Sequence, residues 1–230
     1  MKRTLLYIIF LSFSSAIYAQ SVNLDSIFEP KLRGEIFHVQ KAVEGNQFYS
    51  NDWIISDIKL SSGEMVYSKQ LKYNILLDEI IWLKPNGFEQ VKLEKHFIDA
   101  FYFKNYNGKD ICFKRILAKL PPMLDSTDIF VEVLVEKAAS LYVFRTVRME
   151  GTVNNVNGID RYKDKIVPEP NYILVLPDRQ ACEFKKISKH SLIKGLPEKY
   201  KGSVKDIIQQ NHLAMRTEDD LTIFVGLVQQ

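Results

Sequence analysis

Cysteine is close to absent from this chain, with two residues, Cys112 and Cys182, in 230. That excludes a disulfide-dense small fold and leaves room for one bridge at most. Metal-ligand spacing is missing as well. The four histidines, His38, His96, His190 and His212, are scattered, none has another His or a Cys in helix or strand register, and no His-Glu-x-x-His occurs. No dedicated zinc site is expected from them. Gly-x-Gly-x-x-Gly and Walker patterns do not occur, nor does Gly-x-Ser-x-Gly or a Ser-x-x-Lys with its supporting motifs. The common phosphate-cradling and serine-hydrolase readings fall with them. Asp125-Ser126-Thr127 opens like an aspartic-protease triplet but lacks the Gly that shapes the catalytic turn. A Cys112/His96 nucleophile pair has no third group to orient the imidazole. No enzymatic activity, cofactor or metal is expected. There is no Asn-x-Ser/Thr sequon, and past the N-terminus no apolar run approaches membrane-spanning length.

What is present begins with the first twenty residues. Lys2 and Arg3 form a positive n-region, Leu5 to Leu11 with Phe13 an apolar h-region, and Ser14, Ser15 and Ala16 bring in small residues. This is the layout of a secretory signal peptide, expected over residues 1–19 with cleavage at Ala19-Gln20. Ile17 is bulky for the −3 position, and cleavage after Ala16 is the fallback. The apolar core is too short to span a bilayer, which takes ~20 residues, and no Cys marks a lipoprotein. The expected location is exported: periplasmic or associated with the outer membrane, and not membrane-spanning after cleavage. Removing Lys2 and Arg3 takes the 31 basic residues to 29 against 28 acidic ones, a net +1. Binding to nucleic acid needs concentrated positive charge and is not expected.

From Trp53 to Ile187 the dominant period is two, the signature of half-buried strands. Ile54, Ile58 and Leu60 share a face. Leu71, Tyr73, Ile75 and Leu77 alternate with polar residues, and Ile80-Ile81-Trp82-Leu83 follows. Asn86-Gly87 and Asn107-Gly108 are turn signals, because both residue types tolerate φ > 0. Between them lie Phe88 to Leu93 and Phe97 to Phe103. Ile111 and Phe113 continue the pattern, and Pro121-Pro122 to Asp128 read as a loop. Ile129, Val131, Val133 and Val135 alternate against Glu132 and Glu136, and Leu141 to Thr146 returns as a hairpin. Residues 150–171, rich in Gly, Asn and Pro, read as a long loop. Tyr172 to Leu176 is a buried strand, and Asp178-Arg179 turns into Cys182 to Ile187.

After Ile187 the period becomes helical. Ser188 to Lys194 is a short turn ended by Gly195, suited to the left-handed cap position. Val204, Ile207 and Ile208 take i, i+3, i+4 spacing with Asn211 as the stop. Thr217 is placed as an N-cap, with Glu218, Asp219 and Asp220 in the first turn and an apolar stripe of Leu221, Phe224, Leu227 and Val228. The expected fold is mainly β: an antiparallel meander of about nine or ten strands forming a curled sheet or barrel, followed by about two or three short helices. The expected organisation is a signal peptide (1–19), an N-terminal extension (20–47), an antiparallel β domain (48–187) and a C-terminal helical segment packed on the sheet (188–230).

Three stretches carry a resemblance. Trp53-Ile54-Ile55-Ser56-Asp57-Ile58-Lys59-Leu60 with Gly63-Glu64 and Leu71 to Asp78 is similar to the opening hairpins of a family of uncharacterised exported proteins of Gram-negative, Bacteroidota-type bacteria. Ile129 to Val135 with the returning Ser140-Leu141-Tyr142 resembles that family's central hairpin, although Lys137-Ala138-Ala139 stands where the family turns through Gly. The tail resembles it too, with Lys185, Lys186 and Lys189, then Leu196-Pro197, Ile207 to Asn211, and Thr217 to Leu221. The resemblance implies a cell-envelope location and brings no known activity, cofactor or site residue.

Three residues remain as candidates. Cys112 and Cys182 either pair in an oxidising compartment or pack as buried apolar thiols. Asp99 falls in register with Phe97, Phe101 and Phe103. It is either a polar anchor on an apolar face or, if the Ala100/Tyr102 face is the buried one, a solvated side chain. The expected function is a non-enzymatic envelope module that binds another envelope macromolecule or serves a structural role. The alternative is a carrier that holds a small apolar ligand inside the sheet or barrel.

Overall fold

The computed structural model describes residues 31–38, 44–116, 128–157 and 159–228. The signal-peptide segment, the Pro121-Pro122 stretch and Asp125-Ser126-Thr127 lie outside them. Among the described residues thirteen strands run in chain order: β1 (Gly34–Ile36), β2 (Ile54–Leu60), β3 (Met65–Asn74), β4 (Glu79–Leu83), β5 (Gln90–Leu93), β6 (Ile98–Tyr106), β7 (Lys109–Ile116), β8 (Ile129–Glu136), β9 (Ser140–Phe144), β10 (Val147–Val156), β11 (Ile159–Pro168), β12 (Asn171–Val175) and β13 (Ala181–Phe184). Three helices follow: α1 (Lys189–Gly195), α2 (Glu198–Gln210) and α3 (Glu218–Val228).

Eleven strands form one antiparallel sheet in the order β1-β5-β4-β3-β2-β6-β7-β8-β9-β12-β13, and β10 and β11 form a separate two-stranded ribbon. The sheet stays open, with β1 and β13 at its edges, so the barrel expected as one possibility does not form. The strands beyond the expected number are β1, which lies in the segment read as an extension, and the ribbon, which occupies the segment read as a loop.

Bulges bend the sheet. Ser68 takes φ 55° opposite β2 and donates its N–H to Asp57 Oδ1 at 3.0 Å, where the β2–β3 register slips between Ser56 and Ile58. A second slip lies between β2 and β6, with Lys59 opposite Ala100 and Leu60 opposite Ile98. Each bulge adds local twist, and the concave face closes on a ring-filled core. Tyr73, Phe101, Phe103, Phe113 and Phe130 are all 0% exposed there. A second core on the same face lies under the helices, where Leu141, Val143, Tyr172 and Leu174 meet Leu192, Val204, Leu221 and Phe224.

The helix signals hold, with one correction. Thr217 Oγ1 accepts the Asp220 N–H at 3.1 Å and the Asp220 carboxylate accepts the Thr217 N–H at 3.1 Å, a reciprocal cap. Asn211 Nδ2 donates back to the Ile207 carbonyl at 2.9 Å and ends α2. Gly195 is not left-handed, and it closes α1 beside β13, where a Cβ would meet the Glu183 carbonyl oxygen at 3.4 Å, an ordinary contact.

Candidate functional site

Polar groups inside the fold gather at two places. The first is the seam between the two cores. Glu132 stands on β8 between Phe113 of β7 and Val143 of β9, facing the concave side, with its side chain 4% exposed. Sequence alternation had set Glu132 on a polar face. That is corrected, because β8 is covered on both sides: Phe130 and Glu132 point to the concave cores, and Ile129 and Val131 to a third apolar cluster with Ile173.

A buried carboxylate needs a partner, and Arg145, next after β9, supplies it. Its Nε donates to Glu132 Oε2 at 2.6 Å, while Nη1 and Nη2 donate to Glu218 Oε1 and Oε2 at 2.6 and 2.8 Å. The second contact is a bidentate fork, the strong form of this pair. Tyr172 donates its hydroxyl to Glu218 Oε1 at 2.9 Å, and Tyr49 donates to Glu132 Oε2 at 3.3 Å. Burial tends to raise the Glu218 pKa, but the Arg145 hydrogen bonds and charge outweigh it and hold the carboxyl below its ordinary 4.5. Burial first, then the adjacent carboxylates, push both tyrosine hydroxyls upward, so they stay protonated donors. The network therefore ties the chain before β2, the β8–β9 hairpin, β12 and the start of α3 to one guanidinium.

The second place is a latch across the open side of the curl. Asp78, at φ 55° in the β3–β4 turn, accepts hydrogen bonds from the Tyr73 hydroxyl at 2.7 Å, from Lys95 Nζ, and from the Phe130 N–H at 3.3 Å. Lys95 also donates to the Asp128 carbonyl at 2.6 Å, and Arg115 Nη1 donates to the Lys95 carbonyl at 2.7 Å. Asp78 and Lys95 floor a solvent-open cleft of about 490 Å³ whose walls include Glu35, Glu79, Lys92 and Leu77. An adjoining cleft of about 450 Å³ shares Glu35, Glu79 and Lys92. Lys92 Nζ lies 2.5 Å from Glu35 and 3.4 Å from Glu79, so an ion-pair cluster stands at the mouth beside Leu77, Ile36 and Phe37.

Burial raises the Asp78 pKa above its ordinary 3.8, against the opposing pull of Lys95. A carboxyl raised in the fold binds its proton more tightly there than in the unfolded chain. Its contribution to stability therefore falls as pH rises from 3.8 through the folded value. The difference in unfolding free energy between the parent protein and Asp78→Asn, measured by urea titration across the acid range, should decline over that window and then level off. A difference that rises with pH there would show that Lys95, not burial, dominates.

The residues singled out from sequence lie elsewhere. Cys112 and Cys182 are both free. Cys112 pairs with Tyr102 on the outer face of β7, whereas Cys182 of β13 belongs to the core under the helices, with β8, β9 and β12 between the two strands. They stand on opposite faces of one sheet, so the pairing left open above does not form. Burial pushes their thiols up, to about 11 and about 12 respectively, and they are poor nucleophiles near neutrality. Asp99 is the extra residue of the β2–β6 bulge, half-buried, and lines neither cleft. Phe101 and Phe103 do face the core, but the bulge breaks the parity that would have carried Asp99 there with them. Among the described residues no group of His, Cys, Asp and Glu is arranged to hold a metal ion, and no helix is long and apolar enough to cross a membrane.

Comparison with protein-family models, with curated proteins and with solved structures gives no match to this chain.

Proposed function

We propose that the protein is an exported cell-envelope binding module, non-enzymatic, of the Bacteroidota-type family that its hairpins and tail resemble, and that it contacts another envelope macromolecule through the β10–β11 ribbon. One observation carries the reading. Phe144 of β9 pairs with Asn171 of β12, and the Glu169 N–H already donates to the Thr146 carbonyl at 2.9 Å. A short turn would join β9 to β12, yet the chain leaves the sheet there for residues 147–168 and returns. Among the described residues the ribbon's backbone hydrogen bonds to the rest run through Glu44, which donates to the Asp164 carbonyl and accepts from the Ile166 N–H. A two-stranded ribbon is marginal by itself in water, and this one leaves Met149 50% and Val153 53% exposed on one face. An excursion the sheet does not need, carrying apolar side chains into solvent, suits a contact with a partner.

The apolar-carrier alternative calls for an apolar interior space. Against it stand the five rings that fill the curl and the charged walls of the two clefts. The test replaces residues 147–168 by an Asn-Gly turn. The expected shortened protein keeps its thermal midpoint, since the sheet register is untouched, and in the full-length parent a photoreactive group at position 153 gives a discrete crosslink to an envelope macromolecule. Collapse of the shortened protein, equal crosslinking from a control position such as Lys59, or a small apolar mass co-purifying in native mass spectrometry would each overturn the reading.

A further inference from the structure

We infer that the β13–α1 corner is a docking face for an anionic membrane surface, recognised through the charge of its lipid headgroups. The observation is a local reversal of charge. Between Phe184 and Pro197 the chain carries Lys185, Lys186, Lys189 and Lys194 and no Asp or Glu. Taking these four from the 31 basic residues leaves 27 against 28 acidic ones, so the rest of the chain is net −1. Read along the sequence, this is a modest run. The fold makes it a surface.

Lys185 and Lys186 follow β13 directly, Ser188 caps α1 by accepting the Ser191 N–H at 3.1 Å, and Leu192 and Leu196 are buried under the helix. With Leu192 fixed inward, His190 and Lys194, one turn apart, face outward on α1. Lys185, Lys186, Lys189 and Lys194 are all exposed. Lys186, Lys189 and Lys194 have no carboxylate partner among the described residues, whereas Lys199 and Lys201 on the neighbouring helix are neutralised by Asp178 and Glu198 at 2.5 and 2.8 Å. Arg148, at the base of the ribbon, borders the face but is paired with Glu150 at 2.5 Å, and its Nε and Lys185 Nζ lie 3.8 and 3.6 Å from the same Glu169 oxygen, so the free charge of the corner rests on Lys186, Lys189 and Lys194. A further acid beside the corner, Glu183, is half-buried, and burial raises its pKa despite Lys185.

Unpaired surface lysines repel one another and add nothing to packing. A bilayer carrying anionic headgroups relieves that repulsion, and a cluster of about four or more basic side chains is the size at which such attraction becomes effective. The corner combines the β13 sheet edge with one short helix, α1. The contact needs no insertion and leaves the ribbon free.

The experiment is co-sedimentation of the full chain with phosphatidylcholine vesicles, with and without phosphatidylglycerol. Binding to the zwitterionic vesicles reports any contribution of the apolar N-terminal run and is subtracted. The inference expects a preference for the anionic vesicles that weakens as salt rises from ~0.05 to ~0.5 M, over which the screening length shrinks to a few ångströms. Replacing Lys186, Lys189 and Lys194 together by Gln should lower the anionic binding constant about 100-fold, at about five-fold per lysine. A control triple at Lys59, Lys137 and Lys205, which makes the same change in net charge, should leave it within about three-fold. Both triples should keep the parent thermal midpoint. No preference for anionic vesicles, an equal loss in the two triples, or tighter binding to soluble heparin than to vesicles would each overturn the inference. None of these outcomes involves the ribbon tip, so failure here leaves the ribbon reading standing, and the reverse also holds.

Discussion

Arg145→Met should lower the unfolding free energy by about 3–5 kcal/mol, the cost of leaving a buried charge without its counter-ion. Glu132 is the reason. Its carboxylate, 4% exposed, has two donors, and the Tyr49 hydroxyl at 3.3 Å cannot replace the guanidinium at 2.6 Å. The same substitution frees Glu218 from its fork and leaves the Tyr172 hydroxyl as its hydrogen-bond tie to the sheet. Urea titration with a fixed m-value measures the loss. The companion Glu132→Leu/Arg145→Met double variant should cost markedly less than Arg145→Met alone, because removing both charges removes the desolvation problem as well as the bond. A single-variant loss below about 1 kcal/mol would reduce the seam to the rank of a surface ion pair.

The seam also fixes a pH dependence, opposite in sign to that of the latch. Glu218 has a folded pKa below its unfolded 4.5, so its stabilising contribution is complete above 4.5 and is lost as pH falls through the lowered folded value. Asp78, raised by burial, works the other way. In the Arg145→Met background the acid loss due to Glu218 should vanish, while the Asp78 contribution, opposite in sign and growing as pH falls, persists. The two networks are thereby separable by titration alone, although both bind the same curved sheet together.

How far the sequence reached depends on which signal each element needed. Strands such as β2 and β7 bury one alternating set of side chains, and period two finds them. The ribbon alternates as well, with Val147, Met149 and Val153 against Arg148 and Glu150, but it packs against little, and its Gly, Asn and Pro content outweighed the pattern. β1 buries none of its three residues and leaves no periodic trace. Glu132 was misplaced because alternation separates two faces without saying which is covered, and on β8 both are. Asp99 shows the same limit from another side: one inserted residue shifts parity, and a bulge has no composition of its own. The Arg145–Glu218 fork spans 73 residues of sequence. Only the pairing of β9 with β12 and the packing of α3 bring it together, so no spacing rule reveals it. Thr217 as a cap was legible because capping is local.

Phe113→Ala should be the largest single-residue loss in the ring-filled core, about 3–5 kcal/mol and toward the upper end. Four neighbours set that expectation. The Phe113 ring stacks on Phe101 at 4.7 Å with the planes 7° apart, and meets Tyr73, Tyr49 and Phe103 at 5.0, 5.2 and 5.5 Å. Each such contact adds about 0.5–1.5 kcal/mol beyond area burial. Relaxation is restricted, because Tyr73 is held by its hydrogen bond to Asp78 and Tyr49 by its bond to Glu132. Phe88→Ala is the matched control: that ring is 90% exposed, and the change should stay within about 0.5 kcal/mol. The cavity left by Phe113→Ala is apolar and walled by aromatic rings, the kind that stays dry and accepts benzene. Benzene should therefore raise the thermal midpoint of the variant and leave the parent unchanged. A parent protein stabilised by benzene to the same degree would mean that its interior already holds space for an apolar guest, and the carrier reading would then displace the binding-module reading.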